Sequence, residues 1–488
     1  MHFLQEFTKS RSHKIVILIS SIILIIYLIV SFALVSRFNS KLPHYSSSLH
    51  HISHLEDISS ATSLDHIVFG IASNKVSWNS RKEFIRLWWK PKQMRGCVFL
   101  DYNTTLLDQD NQHDLLPPLC TSADTTGFLY TYRGGLRSAI RVARIVSETV
   151  ALNHTDVRWF VFADDDTVFF PENLVKVLSK YDHELWYYIG SNSESFSQNT
   201  FFSFDMAYGG AGFAISYPLA KVLAKTFDSC IDRYSYLYGS DGRISSCLAE
   251  LGVSLTKEPG FHQVDMKGDM FGLLAAHPLA PLISLHHLDI VNPIFPYIES
   301  PVKALEHLYE AAKHDPHRII QQTVCYDMYF SWTVSISWGY AVQVYARHVP
   351  LPYLLRAQKT FKPFKRGKRM NNNFNIDMRE YESDRCRRAV VFYMDRVSSE
   401  KDEIQSVYRN SILRSRSKKL LHANCSRIPA SPLDLEEIRV FSNKFELNVK
   451  QLLAPRRQCC DVLPVTNSEV MEISLRECKV EELIYMHL

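Results

Sequence analysis

The sequence predicts a membrane-anchored α/β protein with a mostly parallel sheet, followed by a β-rich module that is supported by disulfides. Three observations lead to this fold class. Strand-like and helix-like segments alternate between residues 66 and 178, which is typical of a parallel α/β sheet. Short aromatic and aliphatic runs of strand type follow from about residue 320, together with six of the ten cysteines. One long apolar run precedes both parts.

The apolar run, residues 15–36, consists almost entirely of Ile, Leu, Val, Phe and Ala. A helix of this length spans a bilayer. No small-residue cleavage site follows it, so the pattern favours an uncleaved signal anchor over a removed signal peptide. Basic residues precede the run, and the positive-inside rule then favours a cytosolic amino terminus. We therefore expect a cytosolic tail at 1–14, a transmembrane anchor at 15–36 and a Ser- and His-rich stem at 37–64.

Glycosylation signals and cysteine usage favour a lumenal body behind the anchor. Every cysteine follows the apolar run, and disulfides persist in oxidising compartments. The favoured pairings are Cys97 with Cys120 and Cys230 with Cys247, and the other pairings stay open. Acceptor triplets for N-glycosylation begin at Asn103, Asn153 and Asn424.

Composition excludes one class of partner. The chain has 46% hydrophobic and 22% charged residues, as an ordinary globular protein does. Its formal net charge of +4 is too small to indicate a nucleic-acid partner.

The segments of the first domain, expected over residues 65–318, follow from their hydrophobic periods. Strands are expected at 66–72, 96–100, 159–163 and 187–190, and a glycine-rich approach to a further apolar run at 206–215. Helices are expected at 80–89, 138–152 and 171–178. The β-rich module is expected over residues 319–488.

The most informative stretch is the Asp164-Asp165-Asp166 triplet, which ends the apolar run that begins at Trp159. Open α/β sheets bind their ligands at the carboxyl ends of strands. Carboxylate oxygens suit Mg²⁺ or Mn²⁺ together with a phosphate. A solvated acidic turn is the alternative interpretation, and the triplet alone does not decide between them.

The triplet belongs to a series of motifs in a fixed order. The others are Arg86-Leu87-Trp88-Trp89, Gly209-Gly210-Ala211-Gly212, Tyr238-Gly239-Ser240-Asp241 and Ser284-Leu285-His286-His287. The series resembles the Fringe-like branch of glycosyltransferase family 31 over residues 65–300, and the whole chain is similar to the plant Fringe-related (DUF604) proteins. This resemblance implies a GT-A fold and transfer of a sugar from a UDP-sugar to an acceptor hydroxyl, with Mn²⁺ and with inversion at the anomeric carbon.

The resemblance also implies a role for each matching residue. Asp166 matches the last carboxylate of the family's acidic motif, which binds the metal, and His286 matches the histidine that completes the site. Asp164 is then expected to contact the nucleotide or to support the metal ligands, and Asp165 is expected to belong to the donor-binding set. A divalent ion at this point would neutralise the negative charge of the departing diphosphate. Asp241 matches the catalytic base, which inversion requires on the face opposite the leaving group.

Two further features of the series qualify these roles. Gly209, Gly210 and Gly212 match the family's glycine turn, where small residues would leave space for the donor sugar or the acceptor. Asp241 matches the second acidic residue of a Pro-Asp-Asp element, but Ser240 stands where the family has the first. The alternative interpretation of Asp241 is a turn or helix-cap residue.

The leading hypothesis is a Golgi, single-pass type II membrane enzyme with a lumenal catalytic domain. It would transfer a hexose or N-acetylhexosamine from a UDP-sugar to a glycan or glycoprotein acceptor, through a β1,3 linkage, and a homodimer is one oligomeric state open to it. The alternative is a catalytically inactive glycan-binding or scaffold protein, because Ser240 departs from the family and the animal Fringe enzymes have no counterpart of the β-rich module. A metal-dependent phosphoesterase is disfavoured, because a two-metal centre needs more convergent ligands.

Overall fold

The computed structural model describes residues 22, 24–31, 62–101, 115–364, 373–411, 431–464 and 468–485. The chain divides into two units, Met1–Ala61 and Thr62–Leu488. In the first unit, residues 22 and 24–31 are helical. Among the described residues, no helix is both long and apolar enough to cross a membrane. The predicted tail and the glycosylation signals at Asn103 and Asn424 lie outside the described residues.

The second unit alternates strands and helices before it becomes mainly β-sheet. Its helices are α1 (Lys75–Trp88), α2 (Ser138–Ala151), α3 (Pro171–Leu178), α4 (Phe196–Phe201), α5 (Tyr217–Arg233), α6 (Ser240–Glu250), α7 (Phe271–Ala275), α8 (Pro301–His314), α9 (Leu351–Leu354) and α10 (Val449–Leu453). Strands of the first part are β1 (Ile67–Ala72), β2 (Arg95–Leu100), β3 (Leu119–Thr121), β4 (Trp159–Asp164), β5 (Val168–Phe169), β6 (Tyr188–Gly190), β7 (Phe213–Ser216), β8 (Leu255–Lys257), β9 (Phe261–His262), β10 (Met266–Gly268) and β11 (Ser284–Leu285). Later strands are β12 (Gln322–Asp327), β13 (Trp332–Ser337), β14 (Ala341–Tyr345), β15 (Ala357–Gln358), β16 (Phe361–Pro363), β17 (Met378–Arg379), β18 (Val390–Glu400), β19 (Glu403–Asn410), β20 (Glu437–Asn443), β21 (Cys459–Val462) and β22 (Val470–Arg476).

The first sheet is mixed but largely parallel, as the sequence predicts. Its seven strands lie in the order β3-β2-β1-β4-β7-β6-β8. Strand β1 pairs in parallel with β2 and β4, whereas β7 runs antiparallel to β4 and β6. All six residues of β1 are buried, because helices and sheet cover both faces of a parallel sheet. Helices α2, α5 and α6 share one apolar cluster with this sheet.

The second sheet contains eight strands in the order β12-β13-β14-β18-β19-β20-β22-β21. Its neighbours are antiparallel except for the β20–β22 pair, so the β-rich module expected near the carboxyl end is present. One apolar core continues from the first sheet into the second, since Phe69 and Trp88 belong to the same buried cluster as Trp338 and Phe392. The division at residue 318 stays a prediction.

Disulfides join neighbouring elements in both parts. The two predicted pairings are confirmed: Cys97–Cys120 connects β2 with β3, and Cys230–Cys247 connects α5 with α6. Adjacent cysteines of β21 have different partners, in the pairs Cys325–Cys460 and Cys459–Cys478.

Candidate functional site

The candidate site lies where the first sheet meets a small three-stranded sheet. Asp164 is the last residue of β4, and β5 begins after a short turn. Strand β5 pairs with β11, and β11 pairs with β9. His286 follows β11 directly, so this pairing carries it to the acidic turn. Residues 120 positions apart in sequence thereby become neighbours at the carboxyl end of β4, where α/β sheets bind ligands.

Asp164, Asp166 and His286 form a cluster that could hold a metal ion. One candidate ligand atom from each of the three lies within 4.8 Å of the others. His286 Nε2 is 3.1 Å from Asp166 Oδ1 and 3.9 Å from Asp164 Oδ2. The other ring nitrogen, Nδ1, lies 3.1 Å from the carbonyl oxygen of Gln263. If Nδ1 carries the ring proton, its N–H donates a hydrogen bond to that carbonyl, and Nε2 keeps a free lone pair that can coordinate a metal.

The burial and the contacts of the Asp166 carboxylate show whether a cation fits this cluster. Its side chain is 1% exposed, and neither carboxylate oxygen has a hydrogen bond of ordinary geometry among the described residues. Its charged contacts are the 3.1 Å pair with His286 and a 3.2 Å pair with Arg81. A buried carboxylate without hydrogen bonds is costly unless a cation accompanies it. Two carboxylates and one imidazole therefore fit a divalent ion such as Mn²⁺.

Mutual charges set the protonation of this cluster. Burial alone would lower the pKa of His286, but the negative charges of the adjacent Asp166 and Asp164 raise that pKa to about 9. Burial would likewise raise the pKa of Asp166, but His286 and Arg81 hold it below its usual range. Burial raises the pKa of Asp164 above its usual range, although solvent at its 40% exposed side chain screens part of this effect. The negative charges of Asp164 and Asp166 thus favour positive charge at this point, as a protonated His286 or as a metal ion.

Asp165, the middle residue of the triplet, is held by three side chains from the beginning of the domain. Its carboxylate accepts hydrogen bonds from Ser73 Oγ at 2.6 Å and Ser77 Oγ at 2.5 Å. Arg81 of α1 donates to the other oxygen at 3.1 Å. These contacts link the triplet to α1 and to Ser73, which follows β1, and the donor contact of Asp165 stays a prediction. Arg81 also pairs with Asp289 at 2.9 Å.

The glycine turn lies against the site side chains. A Cβ atom at Gly210 would be 2.1 Å from His286 Cε1, and one at Gly209 would be 2.7 Å from Asp241 Oδ1. Gly212 has a φ of +81° and lies under the ring of Phe169. The absence of a Cβ at these glycines therefore leaves room for the side chains of His286, Asp241 and Phe169. The space for a donor sugar or acceptor at this turn stays a prediction.

Two side chains that sequence reasoning missed hold the glycine turn. Gln263 accepts a hydrogen bond from the Ala211 amide at 2.8 Å. Thr167 donates to the Gly210 carbonyl at 2.8 Å and accepts from the Asp164 amide at 3.1 Å. Together they connect the glycine turn with both the acidic turn and the histidine segment. No sequence pattern marks either residue for this role.

Asp241 lies in the first turn of α6, beside the glycine turn. Its carboxylate accepts a hydrogen bond from Ser240 Oγ at 2.9 Å and another from the Gly209 amide. Burial raises the pKa of Asp241, which makes it a stronger base than an exposed aspartate. Ser240, the departure from the family pattern, thus supports this carboxylate.

Comparison with protein families decides which family the chain represents. The family described as "Protein of unknown function, DUF604" matches residues 198–460, which is more than half of the 488 residues. The chain belongs to the DUF604 family. The family described as "Fringe-like" matches residues 62–270, so this is a Fringe-related DUF604 protein, and the match supports glycosyltransferase activity.

Comparison with individual proteins adds little. No curated protein matches the chain. Among solved structures, the mannosyltransferase PcManGT from Pyrobaculum calidifontis, in complex with GDP-Man and Mn²⁺, is similar with a TM-score of 0.27 and 10% sequence identity. The alignment covers 45% of this chain and 64% of that protein, so the DUF604 chain spans less than two thirds of its length.

The two family matches divide the candidate site between them. The acidic triplet lies only in the Fringe-like match, whereas His286 lies only in the DUF604 match. The DUF604 match also contains β16, which pairs with β10 and brings Phe364 over His287 with ring centroids 5.3 Å apart. The later half of the chain therefore contributes directly to the surroundings of the metal cluster.

His262 lies outside the cluster of Asp164, Asp166 and His286. Its Nδ1 is 3.0 Å from Glu194 Oε1, and its Nε2 is 2.9 Å from Nε2 of His277. His277 in turn contacts the Pro278 carbonyl through Nδ1 at 2.8 Å. This buried chain of hydrogen bonds satisfies His262 within the DUF604 protein.

Proposed function

We propose that this protein is a divalent-metal-dependent, inverting glycosyltransferase with a GT-A fold. It transfers a hexose or N-acetylhexosamine from a UDP-sugar to a glycan or glycoprotein hydroxyl. The observation that carries the proposal is the convergence of Asp164, Asp166 and His286 at the carboxyl end of β4, with Asp241 next to the adjoining glycine turn. Displacement at an anomeric carbon needs a charge-stabilised leaving group and a base, and this site offers groups for both.

Asp166 and His286, together with Asp164, would hold the cation, with Mn²⁺ as the proposed ion. When bound, the cation supplies positive charge that stabilises the departing UDP diphosphate. The Gln263 carbonyl orients the His286 ring, and Arg81 supports Asp166 from α1. These supports keep the ligands in place before the donor arrives.

Asp241 is the proposed catalytic base. As the acceptor oxygen forms its bond to the anomeric carbon, the bond from that carbon to the diphosphate oxygen breaks, and UDP leaves with the electron pair. The proton of the acceptor hydroxyl passes to the Asp241 carboxylate. The hydrogen bonds from Ser240 and Gly209 orient this carboxylate. The proposed base Asp241 is present, and Ser240 donates a hydrogen bond to it. The departure at Ser240 therefore does not support the catalytically inactive alternative.

The proposed location is the Golgi membrane, with a type II anchor and a lumenal catalytic domain, and the proposed linkage is β1,3. The disulfides support an oxidising compartment. Asn153 is exposed at the end of α2, as an N-glycosylation site requires.

A panel of UDP-sugars tests the proposal on the full-length protein. Released UDP is measured with Mn²⁺ and with EDTA, with and without mixed glycan acceptors. At least one donor should give Mn²⁺-dependent UDP release, and Asp166→Asn should lower it at least about 100-fold. Asp402→Asn, an exposed carboxylate between β18 and β19, is the matched control and should leave the rate unchanged. Folded protein that releases UDP from no donor, or releases it equally in EDTA, would contradict the proposal.

A further inference from the structure

An exposed strip of aromatic rings leads to the proposed base. We call Tyr132, Phe201, Phe202, Tyr208 and Tyr238 the aromatic platform. Ring centroids are 5.3 Å apart for Tyr132 and Tyr238, 6.2 Å for Phe202 and Tyr238, 6.1 Å for Phe202 and Tyr208, and 4.7 Å for Phe201 and Phe202. Phe201 is 62% exposed and Tyr238 is 39% exposed, whereas Tyr208 is 5% exposed. The platform thus runs from solvent into the protein.

The buried end of the platform reaches Asp241. Tyr208 immediately precedes Gly209, whose amide binds Asp241, and Tyr238 lies three residues before Asp241 in the chain. Burial, together with the charges of Asp265 and Asp241, raises the pKa of Tyr208. Tyr208 and Tyr238 therefore lie on the two chain segments that meet where Gly209 contacts Asp241.

The Tyr208 hydroxyl is also buried without a hydrogen-bond partner among the described residues. A buried hydroxyl in this state costs free energy unless a partner completes it. Because it is the polar group at the closed end of the platform, a ligand that lies on the platform could supply that partner.

The loop that carries Tyr238 is held rigidly. Arg243 is fully buried and donates to the carbonyl of Gly239 at 2.6 Å, of Leu237 at 2.7 Å and of Ser235 at 3.3 Å. Tyr130 donates to the Tyr238 carbonyl at 2.9 Å. A surface ordered in advance loses less entropy when a ligand binds.

We propose that the aromatic platform binds the acceptor, and that the acceptor is a neutral sugar whose apolar face lies on Phe202 and Tyr238 while the Tyr208 hydroxyl bonds one of its hydroxyls. This inference rests on the proposed function and selects between its two acceptor classes.

The chemistry of the platform distinguishes a sugar from a peptide hydroxyl. A pyranose has a flat face of C–H groups and a rim of hydroxyls, which match an aromatic surface that ends in a polar group. A serine or threonine side chain has no such face. The Asp241 carboxylate beside Gly209 disfavours an acidic sugar, because like charges repel.

Kinetics on the full-length protein separate the platform from the donor site. The acceptor probes are methyl β-D-galactopyranoside, methyl β-D-glucopyranoside and a Ser/Thr-containing peptide, and UDP release without acceptor is measured in parallel. Tyr238→Leu and Phe202→Leu should each raise KM for the accepted glycoside at least about 10-fold while acceptor-independent UDP release stays unchanged. Tyr238→Phe keeps the ring and should retain the wild-type KM. Tyr329→Leu, a ring that is 83% exposed between β12 and β13, is the control and should have no effect.

Two results would overturn the inference while leaving the proposed function intact. One is transfer to the peptide and to neither glycoside. The other is a glycoside KM that Tyr238→Leu and Phe202→Leu leave unchanged. A folded wild-type protein that releases UDP from no donor, with or without an acceptor, would instead contradict the proposed function. In that case saturation-transfer NMR with the same glycosides still tests the platform. The wild-type protein should give glycoside signals that Tyr238→Leu abolishes, and signals that persist in Tyr238→Leu would refute binding at the platform.

Discussion

The substitution Gly210→Ala tests whether Mn²⁺ binding requires the observed position of the His286 ring. A Cβ atom at this position would be 2.1 Å from Cε1, 2.4 Å from Nδ1 and 2.5 Å from Nε2 of the ring. Ordinary contact begins at 3.4 Å, so in Gly210→Ala the ring or the turn must retreat by about 1.3 Å. Metal ligation tolerates only about 0.2 Å. We expect Mn²⁺ to bind about 100-fold more weakly, the upper end of the effect of disturbing a ligand's support.

The assay is calorimetric titration of the full-length protein with Mn²⁺ in the presence of UDP. Gly127→Ala is the matched control, because a Cβ atom there meets nothing within 4 Å, and it should bind Mn²⁺ as the wild type does. Overpacking should also lower the free energy of unfolding of Gly210→Ala by about 1–3 kcal/mol, so both variants are compared below their melting temperatures. A Gly210→Ala protein that stays folded and binds Mn²⁺ within threefold of wild type would refute the assignment of His286 as a ligand.

Two further predictions concern the base and the disulfides. Asp241 must be ionised to accept a proton, and burial raises its pKa above the ordinary 3.8, so kcat/KM should fall as pH decreases through a value above 3.8. An acid limb at or below pH 3.8, or an Asp241→Asn variant with wild-type transfer, would remove Asp241 from this role. Cys325–Cys460 closes a loop of 135 residues and Cys230–Cys247 a loop of 17. Chain entropy then predicts that replacing each pair by alanines lowers the free energy of unfolding by about 5 and about 3 kcal/mol respectively, and equal losses in denaturant titrations would contradict that account.

Local patterns in the sequence predict much of the first sheet. The buried run before Asp164 and the helical period of residues 138–152 correspond to β4 and α2. Helix α1 begins at Lys75, five residues before the predicted start, because Asn74 caps it by accepting hydrogen bonds from the Val76 and Ser77 amides. The antiparallel direction of β7 has no local signal, since strand direction depends on the connections between elements.

Some contacts of the candidate site could not be predicted from local sequence patterns. Strand β4 ends at Asp164, and Asp165 and Asp166 lie in the turn that follows, so the alternation of side chains along a strand could not predict the separate contacts of Asp165. Arg81 and Phe364 carry no such signal. Arg81 reaches the triplet across 84 positions, and Phe364 arrives through the pairing of β10 with β16. Such contacts arise from tertiary packing.

Electron paramagnetic resonance of bound Mn²⁺ tests the central claim most directly. The full-length protein with UDP should bind one Mn²⁺ per chain, and Asp166→Asn should lose this ion while Asp402→Asn keeps it. An Asp166→Asn protein that is folded and binds Mn²⁺ with wild-type stoichiometry and affinity would contradict a metal site built on Asp164, Asp166 and His286.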